Sequence, residues 1–592
     1  AGQAPQQQKV VGEFSPYHPL VPGFKHHTEP VRCAIWEVFV AVLPLVLGLS
    51  SRNALLCLAP GLANRAGRLG HLLLDHGLIT SAFCLCIVTF PAASYAVPVA
   101  VSAVVALAVN VAALARLLAR RRRGQWLWWL PAELGEPAFS AEQAGRARFI
   151  TEFRGLIYLP TCACILARDL PCFRLPFGKT RTFGTGLMDV GLGCFVFLMG
   201  LTAPTCRARA LNRHQRQAAL LKQTVLCLLL TGCGLVRLVV APDQAVEEYG
   251  RDWNVFFTLA AVKMVGSATE LLLLPPQSRL PPALPACLLL AAYEVALGPV
   301  GRLAITIVRP ESAADAEAPA AAAAAALAAR RDAGFFEANR EGLVACLGLY
   351  CLYLLALQVG RLALPVLASR RPTDVGRVTG WCAAVAAATL ALRVLPAAGL
   401  ALPESRRLGN AAYVAWILGF CCAYMAACAF ASCLFAALAG PYPVSSNNVH
   451  LREHHREHQS EHLSQPPPPP ASPFLQLVDQ HGLAYFLIGN LLTGLTGRCI
   501  LPALYGRPDF GPVMPPAACA PVLMAYMLVL SLATAWLLPA ICRLLAALWR
   551  RTATAAARRE SRPTTVQPPL HLPQQQQQQF EQQLRLQTIS SV

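Results

Sequence analysis

Charge is scarce in this sequence. Only 14% of its 592 residues are Asp, Glu, Lys or Arg, against 55% apolar, and acidic residues number 31 beside 50 basic ones. Soluble domains carry about a quarter charged residues, so an ordinary water-soluble enzyme is excluded. Repeated CxxC pairs are absent as well. The 22 cysteines mostly fall inside hydrophobic runs (Cys57, Cys84, Cys86, Cys227, Cys421, Cys422), where a thiol behaves as a small packing group. Neither a disulfide framework nor a zinc site is implied. No internal repeat of useful length is visible, which speaks against a transporter built from inverted repeats. An initiator methionine is missing too: the sequence opens on Ala1, which leaves the natural N-terminal boundary and any targeting segment open.

What is present is apolar sequence in membrane-length runs. About thirteen candidate spans centre on 33–50, 71–91, 95–118, 149–168, 184–203, 218–241, 254–274, 282–303, 341–364, 378–399, 409–437, 483–503 and 518–546. The expected fold class is therefore all-α, a polytopic membrane helix bundle over 33–550. A polar segment (1–32) precedes it, and a Gln-rich tail (551–592), taken as disordered, follows. An Ala-rich loop (311–333) and a His/Pro-rich loop (440–475) interrupt it. The histidines His450, His454, His455, His458 and His462 recur at helical spacing but alternate with Glu beside polyproline, and no metal site is assigned to them. The net charge of +19 lies in runs such as RLLARRRRGQW between hydrophobic segments, a distribution explained by membrane topology better than by nucleic acid. With a lumenal amino end, the odd loops carry the excess of Lys and Arg, led by Arg120 to Arg123 and by Arg207, Arg209, Arg213 and Arg216.

Four polar motifs break the apolar text. They are RDLPCFRLPFGKTRTFGTGLMD (168–189), EEYGRDWNVFFT (247–258), FFEANREGL (335–343) and ESRRLGNAAYVAW (404–416). Each lies in an even loop and opens an odd span, so alternation puts all four on one membrane face. Helix starts leave amide groups free and carry partial positive charge, which suits phosphate or a developing oxyanion. Asn254, Asn339 and Asn410 are candidate caps, and Arg340, Arg406 and Arg407 candidate phosphate contacts. Each has a plainer reading. Arg406 and Arg407 also suit headgroup anchoring, Trp253 and Trp416 an interfacial belt, Gly184, Gly186, Gly191 and Gly193 close helix packing, and Glu341 its helix dipole. Asp169 and Lys179, ten positions apart, read either as an ion pair in a tight loop or as an acid and an amine placed for proton transfer and anion stabilisation. Cys172, between them, reads as a packing cysteine rather than a covalent nucleophile. The residues alone stop at a polytopic membrane enzyme, with a transporter or flippase for an anionic lipid as the alternative.

At these motifs the chain resembles the PIG-W family, the glucosaminyl-phosphatidylinositol inositol acyltransferases of glycosylphosphatidylinositol (GPI) anchor synthesis. DLPCFRLPFGKTRTFGTGLMDVGLGCFVF, YGRDWNVFFT, ANREGL, LGLYCLYLLALQVG, SRRLGN and NLLTGL carry the likeness, from about residue 70 to the last span. The chain departs from the family pattern at Asp252, Tyr353, Gly497 and Arg181. The resemblance implies a bundle in the endoplasmic reticulum membrane that moves a fatty acyl group, typically palmitoyl, from acyl-coenzyme A to an inositol hydroxyl of the glycolipid. Its catalytic pair falls on Asp169 and Lys179, and its reaction site faces the lumen. Trp253, Asn254, Asn339, Arg340, Arg406, Asn410 and Asn490 are the expected substrate-binding residues, with acyl-coenzyme A as co-substrate, no separate cofactor and no nucleic-acid partner.

Overall fold

A computed structural model describes residues 33–59, 67–88, 96–122, 148–206 apart from 171 and 181, 211–240, 246–298 apart from 277 and 279, 304, 334–367, 372–392, 395, 402–439, 472–505, 515–540 and 543. The N-terminal segment (1–32), most of both low-complexity loops, the Gln-rich tail and Arg181 lie outside the described residues. The chain divides into two units, Ala1–Ser531 and Leu532–Val592. In the second, the π-helical turn Ala533–Leu537 is described. Everything below concerns the first.

No strand occurs among the described residues, as the all-α reading expects. The long helices are α1 (Ile35–Leu58), α2 (Gly67–Asp75, running through a π turn at His76–Thr80 into Ser81–Ile87), α3 (Ala96–Arg122), α4 (Arg148–Ala167) and α5 (Leu187–Leu201). They continue with α6 (Arg213–Val240), α7 (Val255–Ala268, ending in a π turn at Thr269–Leu273), α8 (Ala283–Leu297) and α9 (Arg340–Leu367). Last come α10 (Pro372–Ala391), α11 (Ala411–Ala439), α12 (Gly482–Leu495) and α13 (Pro516–Leu532). Nine helices among the described residues are long and apolar enough to cross a membrane. Three more, α5, α8 and α12, are shorter apolar helices, so the expected thirteen spans are not all reached by length and composition. The chain is a multi-pass membrane protein.

Leu, Ala and Val build these helices because lipid offers backbone amides no partner, and an α-helix satisfies its own. α4, α5, α9 and α11 form the centre, with Phe149, Phe153, Phe197, Leu349, Tyr413 and Ile417 fully buried among them. α3 and α6 are peripheral: Val104, Leu107, Leu228 and Val239 stay exposed, as a lipid-facing surface requires. Small residues set the closest approaches. A Cβ on Gly348 of α9 would collide with the Gly409 carbonyl oxygen, and Gly409 itself has φ +59°, a left-handed conformation that favours glycine. That contact seats the loop before α11 directly on α9.

Replacing Gly348 with Leu should therefore push the 404–409 loop off α9 and lower thermal stability in detergent by an overpacking cost of about 1–3 kcal/mol. Gly494→Leu, where no atom lies within 4 Å of an added Cβ, should leave the melting midpoint unchanged.

Candidate active site

The four polar motifs close into a ring at one end of the bundle, each gripping its neighbours. The first meets the fourth through backbone and side chain: Gly184 N donates to Glu404 O at 2.7 Å, and Ser405 Oγ to Thr182 O at 2.6 Å. Arg406 pairs with Asp189 of the GTGLMD segment at 2.8 Å, both side chains being almost fully buried. Asp189 also accepts from Thr180 N at 3.1 Å, while Tyr413 Oη donates to the Asp189 carbonyl at 2.9 Å. The fourth meets the third where Arg407 Nη2 donates to Glu341 at 2.6 Å. The third meets the second where the Asn339 side chain accepts from Asp252 N at 2.8 Å and Arg251 N donates to Ala338 O. Gly250, at φ +123°, lets the second motif turn against Asn339. The second returns to the first through Lys179, whose ammonium donates to both oxygens of Glu248 at 2.9 and 2.8 Å.

Inside this ring opens a cavity of about 280 Å³, near the lower end of the range for ligand clefts. Its mouth is polar, with Lys179, Glu248, Tyr249, Arg168, Arg237 and Arg406. Its body is apolar. Leu156, Pro160, Thr161, Cys164 and Ile165 form one continuous stripe down α4, faced by α5 and by Phe420 and Tyr424 of α11. Gly191 opens the α5 wall, since the nearest atoms to an added Cβ there belong to Thr161 at 3.8 Å. Pro160 has no N–H to give the Leu156 carbonyl four residues earlier; Tyr424 Oη supplies the missing donor at 3.5 Å.

The sequence-predicted residues divide into two groups. Lys179, Arg406 and Asn490 line the cavity. Asn254, Asn339 and Asn410 spend their amides on backbone groups, both of their own loops and of neighbouring segments. Asn254 caps α7 by accepting from Phe256 N, and Asn339 also donates to Phe335 O. Asn410 accepts from Ser405 N at 2.9 Å. Trp253 donates to Thr258 Oγ1 at 2.9 Å and packs on Gly342. Arg340 reaches Glu337 at 3.5 Å. Asp169 is exposed and does not line the cavity. Its Oδ2 lies 3.5 Å from where a Cβ on Gly497 would stand, so the carboxylate faces the π turn Thr496–Ile500 beyond α12. Of the other departures, Asp252 pairs with Arg251 at 2.9 Å, and Tyr353 is buried beneath Lys263, whose ammonium is 5.6 Å from the ring centre. Cys172 is buried and lies outside the cavity.

The ion-pair reading of Asp169 and Lys179 gives way to another partner: the lysine is bound by Glu248. Sequence reasoning missed Glu248, Tyr249, Asp189 and Arg237 as members of the site. Glu248 and Asp189 were in the quoted motifs, but nothing in their spacing shows which cation each meets. Burial pulls the Lys179 ammonium below its ordinary value, with Glu248 opposing. Burial works upward on Glu248 but is outweighed by Lys179, Arg406 and Arg237, so its carboxyl is lowered and it stays an anion. Asp169 as a whole is exposed, but partial desolvation of its carboxyl against the surrounding protein pushes it up, opposed by Arg168.

The family model that matches this chain is that of GWT1, over residues 31–538. The GPI-anchored wall transfer protein 1 of Eremothecium gossypii is 29% identical over 384 residues, 59% of this chain and 68% of that protein. The Aspergillus oryzae protein of the same name is 31% identical over 365 residues, 58% of this chain and 65% of its own length. The glucosaminyl-phosphatidylinositol-acyltransferase PIGW of Bos taurus is 26% identical over 357 residues, covering 57% of this chain and 65% of that protein. The chain thus spans about two thirds of the length of the relatives it matches.

Removing one partner of the Arg406–Asp189 pair strands a buried charge. Asp189→Ala should destabilise the detergent-solubilised protein by about 3–5 kcal/mol. A joint Asp189→Leu and Arg406→Met replacement should recover much of that loss in the same thermal unfolding measurement.

Proposed function

Because the chain belongs to the GWT1 family, we propose that it is a membrane O-acyltransferase acting on the inositol of glucosaminyl-phosphatidylinositol in GPI-anchor synthesis. Acyl-coenzyme A is the donor in this reading, and palmitoyl the typical group. The observation that carries it is the union of a long apolar cavity with a charged mouth. An acyl tail fits the first, and a reacting carbonyl and phosphate groups fit the second. The names of the PIGW relatives support the reaction, and the motif resemblance across DLPCFRLPFGKTRTFGTGLMD supports the choice of Asp169 and Lys179.

The inositol hydroxyl attacks the thioester carbonyl as its proton passes to a base. Asp169 takes that role, its carboxyl raised by partial desolvation and so a stronger base than a fully solvated aspartate. Substrate bridges the space between Asp169, outside the cavity, and Lys179 at its mouth. Lys179, fixed by Glu248, stabilises negative charge on the carbonyl oxygen or on the departing thiolate. Arg406, clamped by Asp189, and Arg168 and Arg237 beside it offer charge to phosphate groups of the lipid or of coenzyme A. Asn490 lines the wall. Trp253, Asn254, Asn339, Arg340 and Asn410 serve binding by holding the mouth in shape. The reaction takes place at the lumenal face of the endoplasmic reticulum membrane.

Microsomes given labelled acyl-coenzyme A and the glucosaminyl lipid test this reading. Wild-type protein should yield acylated inositol lipid. Asp169→Asn and Lys179→Ala should each lower transfer about 10²–10⁴-fold while keeping wild-type melting behaviour; wild-type rates in both variants would remove the pair from the chemistry. Lipid moved across the membrane without product would instead favour a flippase. The acid limb of the pH–rate profile should fall at a midpoint above about 4, the ordinary aspartate value, and disappear in Asp169→Asn. Cys172→Ala should transfer at the wild-type rate, because no acyl-enzyme is formed.

A further inference from the structure

The stripe of cavity residues on α4 runs from Arg168 at the mouth to Leu156 at the inner end. Twelve residues of helix at 1.5 Å each make that depth about 18 Å, of the order of an extended sixteen-carbon chain. The cavity stops where α4 and α11 are joined. Tyr424 Oη donates to the carbonyl that Pro160 leaves free, at 3.5 Å, and its ring stands edge-on to Phe153 with centroids 5.9 Å apart. Phe153 is fully buried, packs in turn on Phe197, and lines no part of the cavity. Below Tyr424 there is packed core.

We propose that Tyr424, pinned to Leu156, is the floor of the acyl cavity and sets the longest chain the protein accepts. This rests on the reading that the cavity takes the acyl group, and it adds a residue that fixes specificity without touching the reacting atoms. The hydrogen bond matters because it holds the phenol across the cavity end rather than along its wall. A chain longer than the depth must fold back or leave methylenes at the mouth among Lys179, Glu248 and Arg406. Each methylene denied apolar burial lowers affinity roughly fourfold.

The test is a series of acyl-coenzyme A donors of increasing chain length, read by stabilisation of the full-length protein in detergent and, separately, by transfer in microsomes. For the wild type, stabilisation should rise with chain length and then stop rising. Tyr424→Ala should move that break to longer chains, gaining roughly fourfold in affinity for each methylene newly buried. Tyr424→Leu keeps more packing, should fold where the alanine variant does not, and should move the break the same way. Leu156→Phe should move it to shorter chains. An unshifted break in folded Tyr424→Leu and Leu156→Phe overturns the floor while leaving acyl binding intact. No stabilisation of the wild type by any chain length overturns the acyl-cavity reading and this inference together.

Discussion

A buried salt bridge between Arg406 and Asp189 organises the polar end of this protein. Neither charge is tolerable alone at that depth, and each is held by further groups: Thr180 N on the carboxylate, and the Tyr249 ring beneath the guanidinium, its centre 5.7 Å away. The pair joins two segments more than two hundred residues apart in sequence. Ser405 and Glu404 bond the same strand of loop from the fourth motif to Thr182 and Gly184 of the first. Once that junction forms, Lys179 is fixed at the cavity mouth, where Glu248 closes on it. The site is therefore a consequence of loop-to-loop pairing, and the helices beneath supply the apolar volume.

That division of labour also explains which polar residues do what. Asparagines at helix starts satisfy backbone groups that would otherwise be orphaned: Asn254 at α7, Asn339 between the second and third motifs, and Asn410 before α11. Lysine and arginine have the reach to leave the backbone: Arg168 and Lys179 of the first motif and Arg406 of the fourth line the mouth. Glu341 and Arg407 brace one another off the cavity. A short-range capping role and a long-range binding role thus fall to different residue types on the same loops.

The helical class was legible because membrane-length apolar runs leave little alternative, and each expected run contains a described helix. The convergence of four motifs was legible from alternation alone, since every motif opens an odd span. Partner choice was not. Lys179 looked toward Asp169 because they are near in sequence, whereas its partner comes from the turn Val246–Tyr249, whose placement depends on Gly250 and Asn339. The cavity was hidden for a similar reason. Its stripe on α4 reads as ordinary apolar helix, and only Pro160 hints at an interruption. Gly191 was read as a packing glycine; it opens the wall, while Gly193 beside it does pack, an added Cβ there meeting Ile417 at 2.7 Å.

The central claim is that one polar ring and one apolar cavity form a single site for an acyl donor. A structure determined with a non-transferable acyl-coenzyme A analogue tests it most directly. The thioester position should lie at Lys179 and Glu248, with the tail running down the α4 stripe toward Tyr424. An acyl tail lying on the outer, lipid-facing surface, with the cavity unfilled, would contradict it.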